Sequence, residues 1–234
     1  MLSPSEAISV ITTLQVVVFD LDGVLFDTER LYMQATAAAL AEMHITPPPH
    51  FSMSLIGASD DECDARLLDL LGEPAVYRMY RTLYQHHRDS LLTDGVPIKE
   101  GATEALDAAV ALGLKLATGT NGSRSTATRH LSDTGLQTRF DCIVAREDVI
   151  HPKPAPDIFE MIAQRLSVPP SACLALEDSA CGIRAGAAAG VSVLGVLDLA
   201  PLDTDILALC DGVVTDLHAA VAFMRRAAGQ GDPA

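Results

Sequence analysis

The sequence predicts an α/β fold: a doubly wound, mostly parallel sheet broken by one helical insertion. Three observations carry this expectation. Short β-branched runs recur along the chain, each ending in small or acidic residues. Helix-like stretches separate most of these runs, the alternation expected of strand–helix–strand units. One connection, between Phe26 and Pro97, is too long for a structureless loop and shows only helical pattern.

The first run, Gln15-Val-Val-Val-Phe19, is continuously apolar and reads as a buried strand that Asp20 ends. Residues 114–117 read as the second strand, stopped by Thr118-Gly-Thr-Asn-Gly. Residues 142–145 read as the third and 173–176 as the fourth, stopped by Glu177-Asp178. Residues 191–196 form the fifth, and 212–215 a sixth. Helices are expected at 103–111, 123–134, 157–166 and 182–189. Within the insertion, 29–43 is Ala-rich and helical until Pro47-Pro-Pro49 stops it. Residues 60–71 open with an acidic first turn, which suits the positive end of a helix dipole, and end at Gly72. Residues 73–92 carry Tyr77, Tyr80 and Tyr84 at helical spacing, a stripe that reads as core packing rather than a ligand platform. Residues 229–234 read as a frayed tail.

Composition excludes several classes of function. The 49% apolar content of the 234 residues excludes a disordered chain. No apolar run approaches the roughly 20 residues that cross a bilayer, so no membrane partner is expected. The opening residues lack a basic start and a clean apolar block, so no secretory signal is read. With 31 acidic against 16 basic residues and a net charge of −15, nucleic acid is an unsuitable partner. Cys63, Cys142, Cys173, Cys181 and Cys210 are dispersed singly, as reduced thiols of a cytoplasmic protein would be.

The most informative stretch is Phe19-Asp-Leu-Asp-Gly-Val-Leu-Phe-Asp-Thr-Glu29. Asp20 and Asp22 follow a buried strand, where open α/β sheets bind ligands. The ordinary reading is a turn in which both carboxylates accept local amides and Gly23 supplies the bend. The chemical reading needs one carboxylate as nucleophile and metal ligand, and its neighbour as proton donor and acceptor. Like charges push two pKa values apart, which makes that division available. Thr118 and the Gly119-containing loop after it offer a hydroxyl and closely spaced amides for a phosphate, or else ordinary N-caps at Thr120, Asn121 or Ser123. Lys153, between prolines in His151-Pro-Lys-Pro-Ala-Pro-Asp157, is either a fixed ammonium or a solvated loop lysine. Glu177 and Asp178 end the fourth strand, where carboxylates suit a hard cation such as Mg2+ or simply start a helix.

These four stretches, in this order, resemble the motifs of the haloacid dehalogenase-like hydrolases, in the β-phosphoglucomutase/phosphoglycolate phosphatase-like group. Leu116-Ala-Thr118 is similar to the second motif, His151 to Phe159 to the third, and Leu176-Glu-Asp-Ser-Ala-Cys-Gly-Ile183 to the fourth. The resemblance implies a Rossmann-like core, 1–27 with 97–234, and an α-helical cap at 28–96. It implies Asp20 as the nucleophile that forms an aspartyl-phosphate and Asp22 as general acid and base. It further implies Mg2+ held by Asp20, the backbone carbonyl of Asp22 and Asp178, with Glu177 close by. Thr118, Gly119 and Lys153 would bind the transferring phosphoryl group. A monomer acting on a small-molecule phosphate ester is the corresponding expectation.

The alternative is a sugar-phosphate mutase. Sequences resembling β-phosphoglucomutase have a His where this chain has Tyr32, and an Arg after the cap loop where it has Asp60. An acidic residue there disfavours a second phosphate, which leaves hydrolysis of a monophosphate as the expectation. A dehalogenase fits less well because Asp22 is present, and a binding-only module would not need the full catalytic set. Arg30, His50, Asp60 and Arg66 are the candidate selectors in the cap.

Overall fold

The computed structural model describes residues 14–56, 58, 60–93 and 95–229. The chain begins with β1 (Val16–Phe19) and passes into the helices α1 (Thr28–Glu42), α2 (Phe51–Leu55), α3 (Asp60–Leu71) and α4 (Pro74–Leu91). It returns through α5 (Ala102–Ala111), β2 (Lys115–Gly119), α6 (Arg124–Asp133), β3 (Cys142–Val144), α7 (Asp157–Leu166) and β4 (Cys173–Glu177). It closes with α8 (Ala180–Ala189), β5 (Ser192–Val196), α9 (Thr204–Leu207), β6 (Gly212–Val214) and α10 (Leu217–Ala227).

The six strands form one parallel sheet in the order β3-β2-β1-β4-β5-β6. Phe19 is in register with Thr118 on one side and Leu176 on the other, so the residues just past β1 lie between β2 and β4. The strand order reverses there, which opens a crevice at the carboxyl ends.

Alternation along β1 feeds two separate cores. Val17 and Phe19 pack with Leu116, Leu174, Leu194 and the apolar faces of α5 and α10. Val16 and Val18 pack with Ala117, Val144, Ala175, Ile158 and Ile183 on the opposite side. Each Val, Leu, Ile or Phe side chain buried this completely contributes about 1.5–3 kcal/mol relative to exposure.

The insertion between β1 and α5 has a core of its own, built from Ala39, Leu40, Leu67, Leu71 and Tyr80. Thr36 Oγ1 and Tyr80 Oη share a buried hydrogen bond of 3.1 Å between α1 and α4. Tyr80 stacks on Tyr84 at 5.9 Å, so the tyrosine stripe does serve packing. The two connecting segments run side by side: Asp27 N–H donates to Pro97 O and Lys99 N–H to Leu25 O, both at 2.9 Å.

The expected strands and helices form with ends shifted by one or two residues. One shift matters: β2 runs through Thr118 to Gly119 instead of stopping before Thr118. Three helices were not anticipated, α2, α9 and α10. The last has a readable signal, because the Asp216 side chain accepts from Ala219 N–H at 2.8 Å and Leu217, Ala220, Phe223, Met224 and Ala227 form one buried stripe. Expectations for residues 1–13 and 230–234 lie outside the described residues, as do those for Gly57, Ser59 and the side chain of Asp60. No helix among the described residues is long and apolar enough to cross a membrane.

Candidate active site

Asp20 is the first residue beyond β1, and its amide donates to Leu176 O at 3.1 Å, which continues the pairing with β4. Two residues on, Asp22 accepts from Thr28 Oγ1 at 2.6 Å, so the start of α1 fixes its carboxylate. Gly23 has φ +79°, and a Cβ there would lie 2.0 Å from Asp178 Oδ2. Glycine is therefore required twice over, by the backbone and by the close approach of the fourth-strand carboxylate.

Lys153 lies at the centre of the cluster and is 4% exposed. Its ammonium donates to Gly119 O at 2.7 Å, to Asp20 Oδ1 at 2.9 Å and to Glu177 Oε1 at 2.5 Å, using all three N–H bonds. Burial works against its charge, but Asp20 and Glu177 outweigh burial and hold its pKa above the usual lysine value. The lysine backbone is fixed separately: Asn121 Oδ1 accepts Lys153 N–H and Asn121 Nδ2 donates to Lys153 O, both at 2.9 Å.

Glu177 and Asp178 complete the group. Each of Asp20, Glu177 and Asp178 offers a carboxylate oxygen within 4.8 Å of the others. Burial pushes the Asp178 carboxyl up, and the charges of Asp20 and Glu177 push it further. Burial also pushes Glu177 up, against the opposing pull of Lys153. Glu177 Oε2 is buried with no hydrogen-bond partner among the described residues. A Cβ on Gly182 would lie 1.8 Å from that oxygen, so only glycine leaves room for it. Three carboxylates against one ammonium leave an anionic excess, and an all-oxygen donor set of this kind fits a hard divalent cation.

Two expected phosphate ligands are placed differently. Thr118 lies inside β2, shares the sheet face of Leu116 and is fully buried. Its hydroxyl is buried with no hydrogen-bond partner among the described residues. Gly119 uses its carbonyl for Lys153, and a Cβ there would meet Ile158 Cγ2 at 2.6 Å, so its smallness serves the packing of α7. The reason for both is the extra length of β2. The threonine just past the strand end is Thr120, whose Oγ1 accepts from Gly122 N–H at 2.9 Å. Gly122 in turn lies beside Asp22, whose Oδ2 is 3.6 Å from an ideal Cβ position on it. Ser123 is the N-cap of α6, accepting from Thr126 N–H at 3.1 Å.

Of the candidate cap selectors, the three with described side chains have their hydrogen-bond or ion-pair partners, where any is seen, away from this cluster. Arg30 is exposed and pairs with Asp27 at 3.2 Å. Arg66 donates to Ser54 O at the surface, and exposed His50 precedes α2. Tyr32, one helical turn beyond Thr28, is a residue of the insertion that feels the Asp22 charge. Burial and then the Asp22 charge raise its phenol pKa, so the hydroxyl stays protonated. Tyr84 and Arg88 also act on Tyr32 electrostatically, and the Arg88 guanidinium lies 6.0 Å from the Tyr84 ring centre. In the sequence, Tyr32 stands out only as a departure from the mutases. A shallow hollow of about 800 Å³ along α6, lined by Arg124, Thr128, Arg129 and Glu147, holds none of the clustered groups.

Residues 17–196 match the family profile described as haloacid dehalogenase-like hydrolase, a span that begins within β1 and includes every clustered residue. The chain belongs to the haloacid dehalogenase-like hydrolases. Protein CbbY of Rhodobacter capsulatus is 30% identical over 191 residues, covering 77% of this chain and 84% of that protein. The phosphorylated carbohydrates phosphatase of Thermotoga maritima is 28% identical, covering 79% and 86%. Fructose-1-phosphate phosphatase YqaB of Escherichia coli is 29% identical, covering 76% and 94%. Among solved structures, a hydrolase of this family from Deinococcus radiodurans, with bound phosphate and sodium, superposes with TM-score 0.78 at 29% identity, covering 94% of this chain and 99% of that one. The β-phosphoglucomutase of Clostridium difficile shares the fold with TM-score 0.73 at 23% identity, covering 93% and 98%.

Proposed function

We propose that this haloacid dehalogenase-like hydrolase is a phosphatase that cleaves a small phosphorylated metabolite, a sugar phosphate or related monoester, through an aspartyl-phosphate. The observation that carries this reading is the buried Lys153 bound at once to Asp20, Glu177 and Gly119 O. An anionic phosphate meeting an anionic nucleophile requires fixed positive charge at the point of attack, and Lys153 provides it. Asp20 forms the new bond to phosphorus while the bond to the leaving alkoxide breaks, and Asp22 gives that alkoxide a proton. Asp22 then takes a proton from water as the water oxygen attacks the phosphoaspartate, which releases phosphate and restores Asp20. Thr28 holds Asp22 for both transfers at 2.6 Å. Thr120, rather than Thr118, is the hydroxyl that would reach the phosphoryl oxygens.

Asp20, Glu177 and Asp178, with the backbone carbonyl of Asp22, would hold Mg2+. When bound, the metal supplies further positive charge against the phosphoryl oxygens. Residues 28–96 act as a cap on a core of 1–27 with 97–234, and their closure excludes bulk water from the phosphoaspartate. Two similar proteins are named for phosphatase action on phosphorylated carbohydrates, which supports the substrate class.

The test is phosphate release from a panel of phosphorylated metabolites with Mg2+. Asp20→Asn is expected to lower the rate by at least about a thousandfold, as loss of a covalent nucleophile does. Chelation of divalent metal is expected to abolish turnover and readdition to restore it. Full activity of Asp20→Asn would reject the mechanism, and sugar-phosphate isomerisation without net phosphate release would identify a mutase instead.

A further inference from the structure

We propose that Asn121 is a positioning residue for the phosphatase reaction, the amide that sets where the Lys153 ammonium stands. The inference rests on the phosphatase reading above and adds a residue that the sequence offered only as a helix cap. Ser123 takes the capping role, which leaves Asn121 with no local duty in α6. Its side chain instead crosses to the loop between β3 and α7 and binds both backbone polar groups of one residue. Oδ1 accepts Lys153 N–H and Nδ2 donates to Lys153 O, each at 2.9 Å. The remaining Nδ2 hydrogen points to Cys181 Sγ at 3.9 Å, in the first turn of α8. A single amide thus ties the loop after β2, which carries Thr120, to the Lys153 backbone and to the first turn of α8, which follows Glu177 and Asp178.

Only a carboxamide satisfies this arrangement, because the lysine presents one donor and one acceptor side by side. A carboxylate of the same shape keeps the acceptor but sets a second oxygen against Lys153 O. An alanine loses both bonds and leaves Lys153 backbone groups without their partner. The Lys153 side chain is stretched between three fixed oxygens, so a shift of its backbone moves the ammonium relative to Asp20. Displacement of a reacting group by about 1 Å costs about a hundredfold in rate.

The experiment compares Asn121→Asp, Asn121→Ala, Lys153→Ala and the double variant Asn121→Ala/Lys153→Ala with wild type. For each, kcat and KM for phosphate release are measured, together with inorganic phosphate binding by calorimetry and thermal unfolding. Asn121→Asp is expected to lower kcat about tenfold to a hundredfold while its unfolding temperature stays near wild type. Adding Asn121→Ala to Lys153→Ala is expected to cost less than about threefold further, because the amide acts through the lysine. Phosphate binding is expected to weaken in the Asn121 variants and to respond little in the Lys153→Ala background. Wild-type kcat and phosphate binding in Asn121→Asp, or effects of Asn121 and Lys153 that multiply, would overturn the proposal. Absence of phosphatase activity in wild type would instead reject the underlying reading, while the phosphate-binding arms still test the positioning role.

Discussion

The core site and the helical insertion above it use charge in opposite ways. In the core, Asp20, Lys153, Glu177 and Asp178 are each no more than 8% exposed, and they neutralise one another only in part. In the insertion, charged pairs reach solvent: Arg81 with Asp64 at 45% and 43% side-chain exposure, and Arg88 with Asp89 at 30% and 59%. Stability of the insertion rests instead on Leu40, Leu67, Leu71 and Tyr80. Buried charge depends on every partner because removal of one strands the others, whereas solvent screens an exposed pair. The buried cluster is therefore intolerant of change, and the exposed pairs of the insertion are permissive.

Four substitutions sharpen or break that contrast. The largest effect is expected for Lys153→Met, which leaves three buried carboxylates without their ammonium. Stability in metal-free urea unfolding at pH 8 should fall by about 3–5 kcal/mol. A loss below 1 kcal/mol would mean that the core cluster behaves like surface charge. Next comes Gly182→Ala, whose Cβ must displace Glu177 Oε2 from 1.8 Å. A loss of about 1–3 kcal/mol is expected, typical of overpacking, with weaker divalent-metal binding by titration calorimetry.

Confined to acid conditions is the sensitivity of His130, a buried imidazole of α6 set edge-on against Phe26 at 5.8 Å. Burial, and then the Arg129 charge, lower its pKa to about 4. The unfolded chain binds this proton near pH 6.5 and the folded chain only near pH 4, so the unfolded state holds more protons between them. Stability from this group is complete above pH 6.5 and is lost as pH falls toward 4. Replacing His130 with Leu should flatten the fall in unfolding temperature across that window, and an unchanged profile would remove His130 as a contributor. The smallest effect is expected for Arg81→Ala. Its exposed pair with Asp64 should be worth about 0.2–1 kcal/mol, with kcat unaltered.

Much of this division was legible in the sequence. The strand runs, the long helical connection and the four acidic or basic stretches each rest on local pattern, and Asp20, Lys153, Glu177 and Asp178 do meet. Thr118 was misplaced because a strand end is set by its neighbours. Pairing of Ala117, Thr118 and Gly119 with β3 carries β2 past the point where composition changes. Asn121 was invisible because its partners are backbone atoms 32 residues away, which no spacing records. Tyr32 offered a signal, one turn beyond the threonine that grips Asp22, but its burial depends on α4.

The sequence alone determined that a buried strand would end in two aspartates and that a helical segment would be inserted just after it. Both follow from short-range patterning of apolar and turn-forming residues. Only the tertiary structure decided where β2 ends, which glycines make room for carboxylates, and what holds the lysine. Those outcomes depend on register, close contact and hydrogen bonds between distant loops, forces that act across the fold rather than along the chain.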